Sequence, residues 1–185
     1  FKENIQFTFQ TKKTVKFPFH LRIPEWCKNS TITINGKVVA TSISNNIAAI
    51  DREWSSGDVV ELNLPMDFRF SHWYENSLGI ERGPLVYALR VEEQWREVTQ
   101  KGYDDTFWEV LPKSPWNYAL QKSEIDNKKL QAEVKDQISL NPWNLENAPI
   151  TVKIKANRLP IWQLERGSTG KLPIPSSPAR TVEKL

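Results

Sequence analysis

Apolar residues recur at every second position along the first half of this chain, and that period restricts its fold more than any other feature of the sequence. Ile5, Phe7 and Phe9 alternate with Asn4, Gln6, Thr8 and Gln10. After Thr11-Lys12-Lys13-Thr14, the set Val15, Phe17, Phe19, Leu21 and Ile23 alternates with Lys16, Pro18, His20 and Arg22. A helix would scatter such residues around its circumference, whereas a strand gathers them on one face. One oily and one wet face suits an antiparallel sheet with a single solvated side. Pro18 lacks the amide hydrogen of an interior ladder, which puts its strand at an edge or beside a bulge.

The signals that follow are of the same kind. Thr31-Ile32-Thr33-Ile34 and Lys37-Val38-Val39 flank Asn35-Gly36, two residues that tolerate positive φ and so close a tight hairpin. Ile47 to Ile50 is strand-like, Trp54-Ser55-Ser56-Gly57-Asp58 reads as a turn, and Val59 to Leu64 places Val60, Leu62 and Leu64 on one face. Met66 to Tyr74 keeps Phe68, Phe70 and His72 in phase, which predicts a partly covered His72 and leaves His20 on a wet face. In Glu81 to Leu89 (ERGPLVYAL), Gly83-Pro84 is a turn, and the continuous apolar run from Leu85 to Leu89 predicts a strand covered on both sides. Short strands divided by Gly, Pro, Asn and Asp, with no helical period through residue 91, predict an all-β fold. The expected form is an antiparallel β-sandwich, jelly-roll-like, in one or two lobes with few short helices.

The texture changes after residue 91. Glu92 to Gln100 is charged and would suit a helical turn; GYDDTFWEVLPKSPWNYALQKSEIDNKK then mixes aromatics with Pro, Asp and Ser without a clear period. A segment of that length is either an excursion with its own packing or a functional loop. Strand-like pieces return at Leu130 to Val134 and at Ile150 to Ala156, and the Pro-rich tail from Leu164 reads as extended. The expected division is therefore 1–91 as core strands, 92–128 as an aromatic excursion or connector, and 129–185 as returning strands with a tail.

Charge and cysteine content remove several function classes. With 25 Lys plus Arg against 22 Asp plus Glu, the scattered basic residues make no patch for nucleic acid. No apolar run approaches the roughly 18 residues of a membrane span. A single cysteine, Cys27, rules out an internal disulfide and says nothing about compartment. The chain opens within strand-like residues, which reads as part of a longer polypeptide.

No catalytic set stands out. Glycosidase chemistry usually takes two carboxyl groups at a fixed separation, but Glu25, Asp51, Glu53, Asp58, Glu75 and Glu81 all fall at turns or strand ends, where acids serve as solvated polar residues and turn formers. His20, His72 and Cys27 are not at metal-ligand spacing, and neither a GxSxG elbow nor a phosphate loop is present. Cys27, beside Trp26, reads as a small buried hydrophobe with no activating base. Among the aromatics, Trp73-Tyr74 and the group Phe107, Trp108, Trp116 and Tyr118 leave two readings open. Their flat faces could carry sugar rings, whose C–H surfaces pack on aromatics as other apolar groups do, with Trp73, Tyr74, Trp108 and Trp116 as the candidate contacts. Alternatively, they cover sheet faces or dock on a neighbouring domain.

Phe17 to Cys27 (FPFHLRIPEWC), Thr31 to Gly36 (TITING), Asp51 to Arg69 (DREWSSGDVVELNLPMDFR) and Glu81 to Leu89 follow one another in an order that resembles the region after the catalytic barrel in the bacterial β-L-arabinofuranosidases of glycoside hydrolase family 127. Ser114 to Leu120 (SPWNYAL), Asn141 to Trp162 (NPWNLENAPITVKIKANRLPIW) and Leu172 to Leu185 (LPIPSSPARTVEKL) extend the resemblance over nearly the whole chain. It implies a non-catalytic β-sandwich that braces an N-terminal (α/α)6 barrel of its own protein. The barrel would hold a zinc bound by one Glu and three Cys, one of these cysteines being the nucleophile. The ligand motifs lie upstream of Phe17, so the resemblance implies no catalytic residue, metal ligand or cofactor within this chain; Cys27 matches a sandwich position. The implied partners are that barrel and a plant-type glycan, with no nucleic acid or membrane. A carbohydrate-binding module and a structural or adhesion sandwich with no enzymatic parent are the rival readings.

Overall fold

The computed structural model describes residues 1–74, 77–99, 102, 105–125, 130–142 and 144–173, and its regular structure is antiparallel β throughout, apart from short 3-10 turns such as Lys122–Glu124. The chain divides into two compact units, Phe1–Arg69 with Glu81–Val86, and Phe70–Ile80 with Tyr87–Leu185.

The first unit is a two-sheet sandwich built by the alternating sequence. One sheet has the order β1-β7-β3-β4, from β1 (Asn4–Thr8), β7 (Val59–Asn63), β3 (Thr31–Ile34) and β4 (Lys37–Val38). The other has the order β2-β6-β5, from β2 (Val15–Arg22), β6 (Ile47–Trp54) and β5 (Ile43–Ser44). Ile32, Ile34, Val60 and Leu62 from the first sheet meet Leu21, Ala48, Ile50 and Trp54 from the second, with Ile23 just past the end of β2, in one buried cluster. Phe7 and Phe9 reach across to Phe19 with ring centroids 5.3 and 5.2 Å apart in edge-to-face contact. Each buried aromatic or aliphatic side chain of this kind contributes roughly 1.5–3 kcal/mol relative to exposure, which makes this interior the chief stabilising feature of the unit. Pro18 sits where its missing donor allows, because β2 pairs only with β6 and is an edge strand. The β3–β4 hairpin closes through Asn35 at φ 49° and Gly36 at φ 76°, the left-handed pair expected of Asn-Gly.

Trp54 corrects the sequence reading at this level. It ends β6 rather than opening the turn, is fully buried, stacks on Phe9 at 4.2 Å and donates its indole N–H to the Phe17 carbonyl at 3.0 Å. The Arg52 guanidinium lies 4.9 Å from its ring centroid, so one ring joins both sheets and a charged flank. The turn proper is shorter, and Asp58 N donates back to Ser55 O at 3.1 Å.

Three other expectations fail for one physical reason: how many neighbours a strand has decides its burial. The run Leu85 to Leu89 is not a strand covered on both sides. Only Leu85–Tyr87 forms β10, at the edge of the order β10-β9-β8, with Val86 74% and Leu89 53% exposed. Gly83-Pro84 is a turn as expected, with Gly83 at φ 57°, between β9 (Leu78–Arg82) and β10. His72 is exposed: cover thins along β8 (Phe68–His72) from a buried Phe68 through an intermediate Phe70. The charged segment from Glu92 is not helical over its described residues, because Glu93–Thr99 finds a partner and becomes β11, paired along its whole length with β12 (Thr106–Pro112), while Gln100 lies outside the described residues.

The rest of the second unit consists of small ribbons. β13 (Tyr118–Leu120) pairs with β16 (Ala156–Arg158), β14 (Ala132–Val134) with β15 (Ile150–Val152), and β17 (Leu164–Glu165) with β18 (Ser168–Thr169). The expected strand Ile150 to Ala156 is thus two strands, each with its own partner. Among its described residues the excursion at 92–128 contains three strands, and the tail carries a ribbon whose turn residues Arg166 and Gly167 have φ of 52° and 79°. Residues 174–185 of the tail lie outside the described residues. Leu130, Ile150 and Ala156 are buried here, and the buried Asn117 amide donates to the carbonyls of Leu159 and Trp162, both at 2.8 Å.

Candidate functional site

The carboxylates serve the turns that carry them. Asp58 Oδ2 accepts the Ser55 amide at 2.9 Å, Oδ1 accepts the Asn35 side-chain amide at 2.8 Å, and Arg52 Nη2 lies 3.5 Å away. Asn35 in turn accepts the Val59 amide at 2.8 Å, so the two turns are laced together. The Ser55 N–H first, and then the Asn35 amide, hold the Asp58 carboxyl below its ordinary pKa, as hydrogen bonds to a charged form do. Such a group is a fixed anion in a clamp and has no proton to exchange near neutrality. Glu81 pairs with Arg69, and Glu3, which sequence reasoning did not single out, accepts from both Arg82 Nη2 at 2.7 Å and Met66 N at 3.0 Å. Glu25, Asp51 and Glu53 are exposed, and Glu75 lies outside the described residues.

Cys27 is buried, and burial pushes its thiol pKa up, away from the thiolate a nucleophile needs. His20 and His72 are exposed on separate strands. No three His, Cys, Asp or Glu side chains among the described residues are placed to hold a metal ion. The one cysteine of the sequence cannot supply a three-cysteine zinc set, so the residues present do not fit that metal. In the first unit, a hollow of about 300 Å³ is lined by Ile5, Trp26, Leu64, Met66 and Leu85 among others, with Lys2 as its one charged neighbour; it has no acid or base pair to work with.

The aromatic candidates separate by environment. Trp73 and Tyr74 are 68% and 85% exposed, with the Trp73 indole N–H bound to Ser71 Oγ at 2.8 Å. Trp116 is half-buried and meets Trp162 edge to face at 4.9 Å, while the Trp162 indole donates to Gly170 O. Trp108 is exposed on β12, and its neighbour is a residue that sequence reasoning missed: Trp95 of β11, at 6.4 Å and 66° between the rings. Trp108 and Trp116 are thus in different settings, and among the described residues no ring contact joins Trp73 or Tyr74 to either. The only sequence signal for Trp95 was two β-prone runs of equal length on either side of Gly102. The runs lack alternating hydrophobicity because the hairpin has no deeply buried side.

Residues 1–66 match the family model described as beta-L-arabinofuranosidase, GH127 middle domain. The chain follows the crystal structure of a GH127 beta-L-arabinofuranosidase from Geobacillus stearothermophilus T6 at 25% identity, covering 96% of this chain and 24% of that one, with a TM-score of 0.56. Two further solved structures are similar over shorter parts. One, a glycoside hydrolase, shares 27% identity over 55% of this chain and 21% of its own, with a TM-score of 0.43. The other, a GH127 beta-arabinofuranosidase, shares 19% over 66% and 25%, with a TM-score of 0.42. No curated protein matches the chain. The chain spans about a quarter of the length of the solved structures it matches. The sandwich strands of the first unit thus lie inside a match to a GH127 middle domain, and nearly the whole chain is similar to about a quarter of one GH127 enzyme.

Proposed function

We propose that this chain is a non-catalytic β-sandwich module of a bacterial β-L-arabinofuranosidase-like glycoside hydrolase, bracing a catalytic (α/α)6 barrel carried elsewhere in the same protein. The observation that carries the reading is the alignment of 96% of the chain with only 24% of a GH127 enzyme. A region of that share is a part of such an enzyme, and the residues of this part are committed to structure: Asp58 to a turn clamp, Cys27 to a buried interior, Glu81 to an ion pair. The zinc expected by resemblance belongs to the barrel, because one cysteine is too few for its ligand set. Fold likeness by itself does not transfer a substrate, so the proposal goes no further than plant-type glycans as a class.

Turnover of an aryl β-L-arabinofuranoside, with and without added zinc, tests the proposal. The 185-residue chain is expected to give none in either condition, and a polypeptide joining it to a GH127-type barrel is expected to give turnover that a chelator abolishes. Zinc-dependent hydrolysis by the chain alone would overturn the reading.

A further inference from the structure

The β11–β12 hairpin is built against the usual order, with its largest aromatics on its wettest face. Its register puts Glu93, Trp95, Glu97 and Thr99 opposite Pro112, Val110, Trp108 and Thr106 on one side, and all eight are exposed. The other side, with Val98, Glu109 and Leu111, is the more covered one. Trp95 and Trp108 stand diagonal to one another on the open side, 58% and 56% exposed. A two-stranded ribbon gains little stability from aromatics left in water, so their placement calls for a ligand.

The surroundings indicate its chemistry. Glu93 Oε2 accepts the Trp95 indole N–H at 2.9 Å, which fixes the ring's orientation before anything binds. The open side carries two carboxylates and no cation, an arrangement that repels phosphates, nucleic acid and acidic polysaccharides. Val110, the cross-strand partner of Trp95, also lines a hollow that continues past Trp116 to Leu164, Ser168 and Thr169, and no charged residue is among its lining. Flat rings for C–H faces, hydroxyls and carboxylates for hydroxyl groups, and an uncharged recess beside them suit one class of ligand.

We infer that the open face of the β11–β12 hairpin, with Trp95 and Trp108 as stacking rings and the hollow at Trp116, Ser168 and Thr169 as its extension, binds a neutral oligosaccharide. Sugar rings pack against the indoles, Glu97 accepts hydroxyl hydrogen bonds, and the recess takes a second residue of the same glycan. The site rests on the hairpin and the hollow alone, whereas the choice of an arabino-oligosaccharide as probe rests on the proposed function; binding here involves no hydrolysis, so its failure and the failure of that reading are distinguishable.

The test is a titration of the full chain with a neutral linear arabino-oligosaccharide, following the indole N–H signals by two-dimensional NMR. An oligogalacturonate of equal length serves as the anionic comparator. The signals of Trp95 and Trp108, assigned through W95F and W108F, are expected to move saturably with the neutral sugar, while that of buried Trp54 stays in place and reports an intact fold. W108A should weaken binding at least tenfold; if that variant loses the Trp54 signal, the wild-type titration and W108F decide. The inference is overturned by no saturable movement with the neutral sugar, by tighter binding of oligogalacturonate, or by movement confined to other tryptophans. It is equally overturned if simple dilution of the chain moves the same signals, which would make a second copy the occupant.

Discussion

At the scale of single residues, Trp54 and Asp58 carry more structure than their neighbours. Trp54→Ala removes the ring that Phe9, Phe17 and Phe19 surround, and a core aromatic lost in this way costs about 3–5 kcal/mol. Trp54→Phe keeps an aromatic ring but leaves the Phe17 carbonyl without its donor, so it should cost less, about 1–3 kcal/mol. Urea denaturation of the two variants checks the order; no loss in Trp54→Phe would deny the indole N–H any role, and equal losses would deny one to the ring's packing. Asp58 has its folded pKa lowered by the Ser55 amide and the Asn35 side chain. A depressed carboxylate contributes stability that is full above its unfolded pKa and disappears as pH falls through the folded one. The stability difference between the protein and D58N should therefore be constant near neutrality and narrow below about pH 4. Urea midpoints collected across that range test the sign, and a difference unchanged at the acid end would refute it. Both residues were visible in the sequence as turn components. What the sequence did not disclose was that Trp54 points inward, because it sits one position from a boundary where strand phase gives way to turn geometry.

At the scale of elements, the turns and the alternating strands were legible because each rests on local physics. Asn35-Gly36 closes a hairpin wherever positive φ is needed, and Val60, Leu62 and Leu64 share a face in any pairing. Gly83 shows how local and tertiary demands combine. Its φ of 57° disfavours a side chain, and a Cβ there would come within 2.7 Å of Met66 Cγ and Sδ. Gly83→Ala should destabilise by about 1–3 kcal/mol, part from backbone strain and part from displacing Met66. In a Met66→Ala background the same change should cost only the backbone part, so the two substitutions are non-additive. Additive losses in a denaturation cycle would show that Met66 yields freely. β10 and β11 were misread because burial on two faces and helix or strand choice in a charged segment depend on partners. An apolar run at a sheet edge looks the same in sequence as one at its centre.

At the scale of the whole chain, alternation fixed the class: all-β, antiparallel, and in Phe1–Arg69 a sandwich whose interior is the phase of Phe7, Phe19, Ile32, Ala48 and Val60. A series of short motifs in a fixed order carried the resemblance to GH127, and the family-model match to residues 1–66 covers the part with the cleanest period. The candidate glycan contacts were half legible. Trp108 could be nominated as an exposed aromatic, but Trp95 acquires meaning only when β11 and β12 pair and bring two indoles diagonal to one another. Trp116 was nominated and proves braced on Trp162, 46 residues away by their numbers. The amino-acid order determined what is local: period, turn chemistry, the missing cysteines and the acids held at turns. The tertiary structure decided which strands stand at edges, which tryptophans are covered and which rings meet. Those outcomes depend on contacts between residues far apart in the chain, and a one-dimensional pattern does not record the partner.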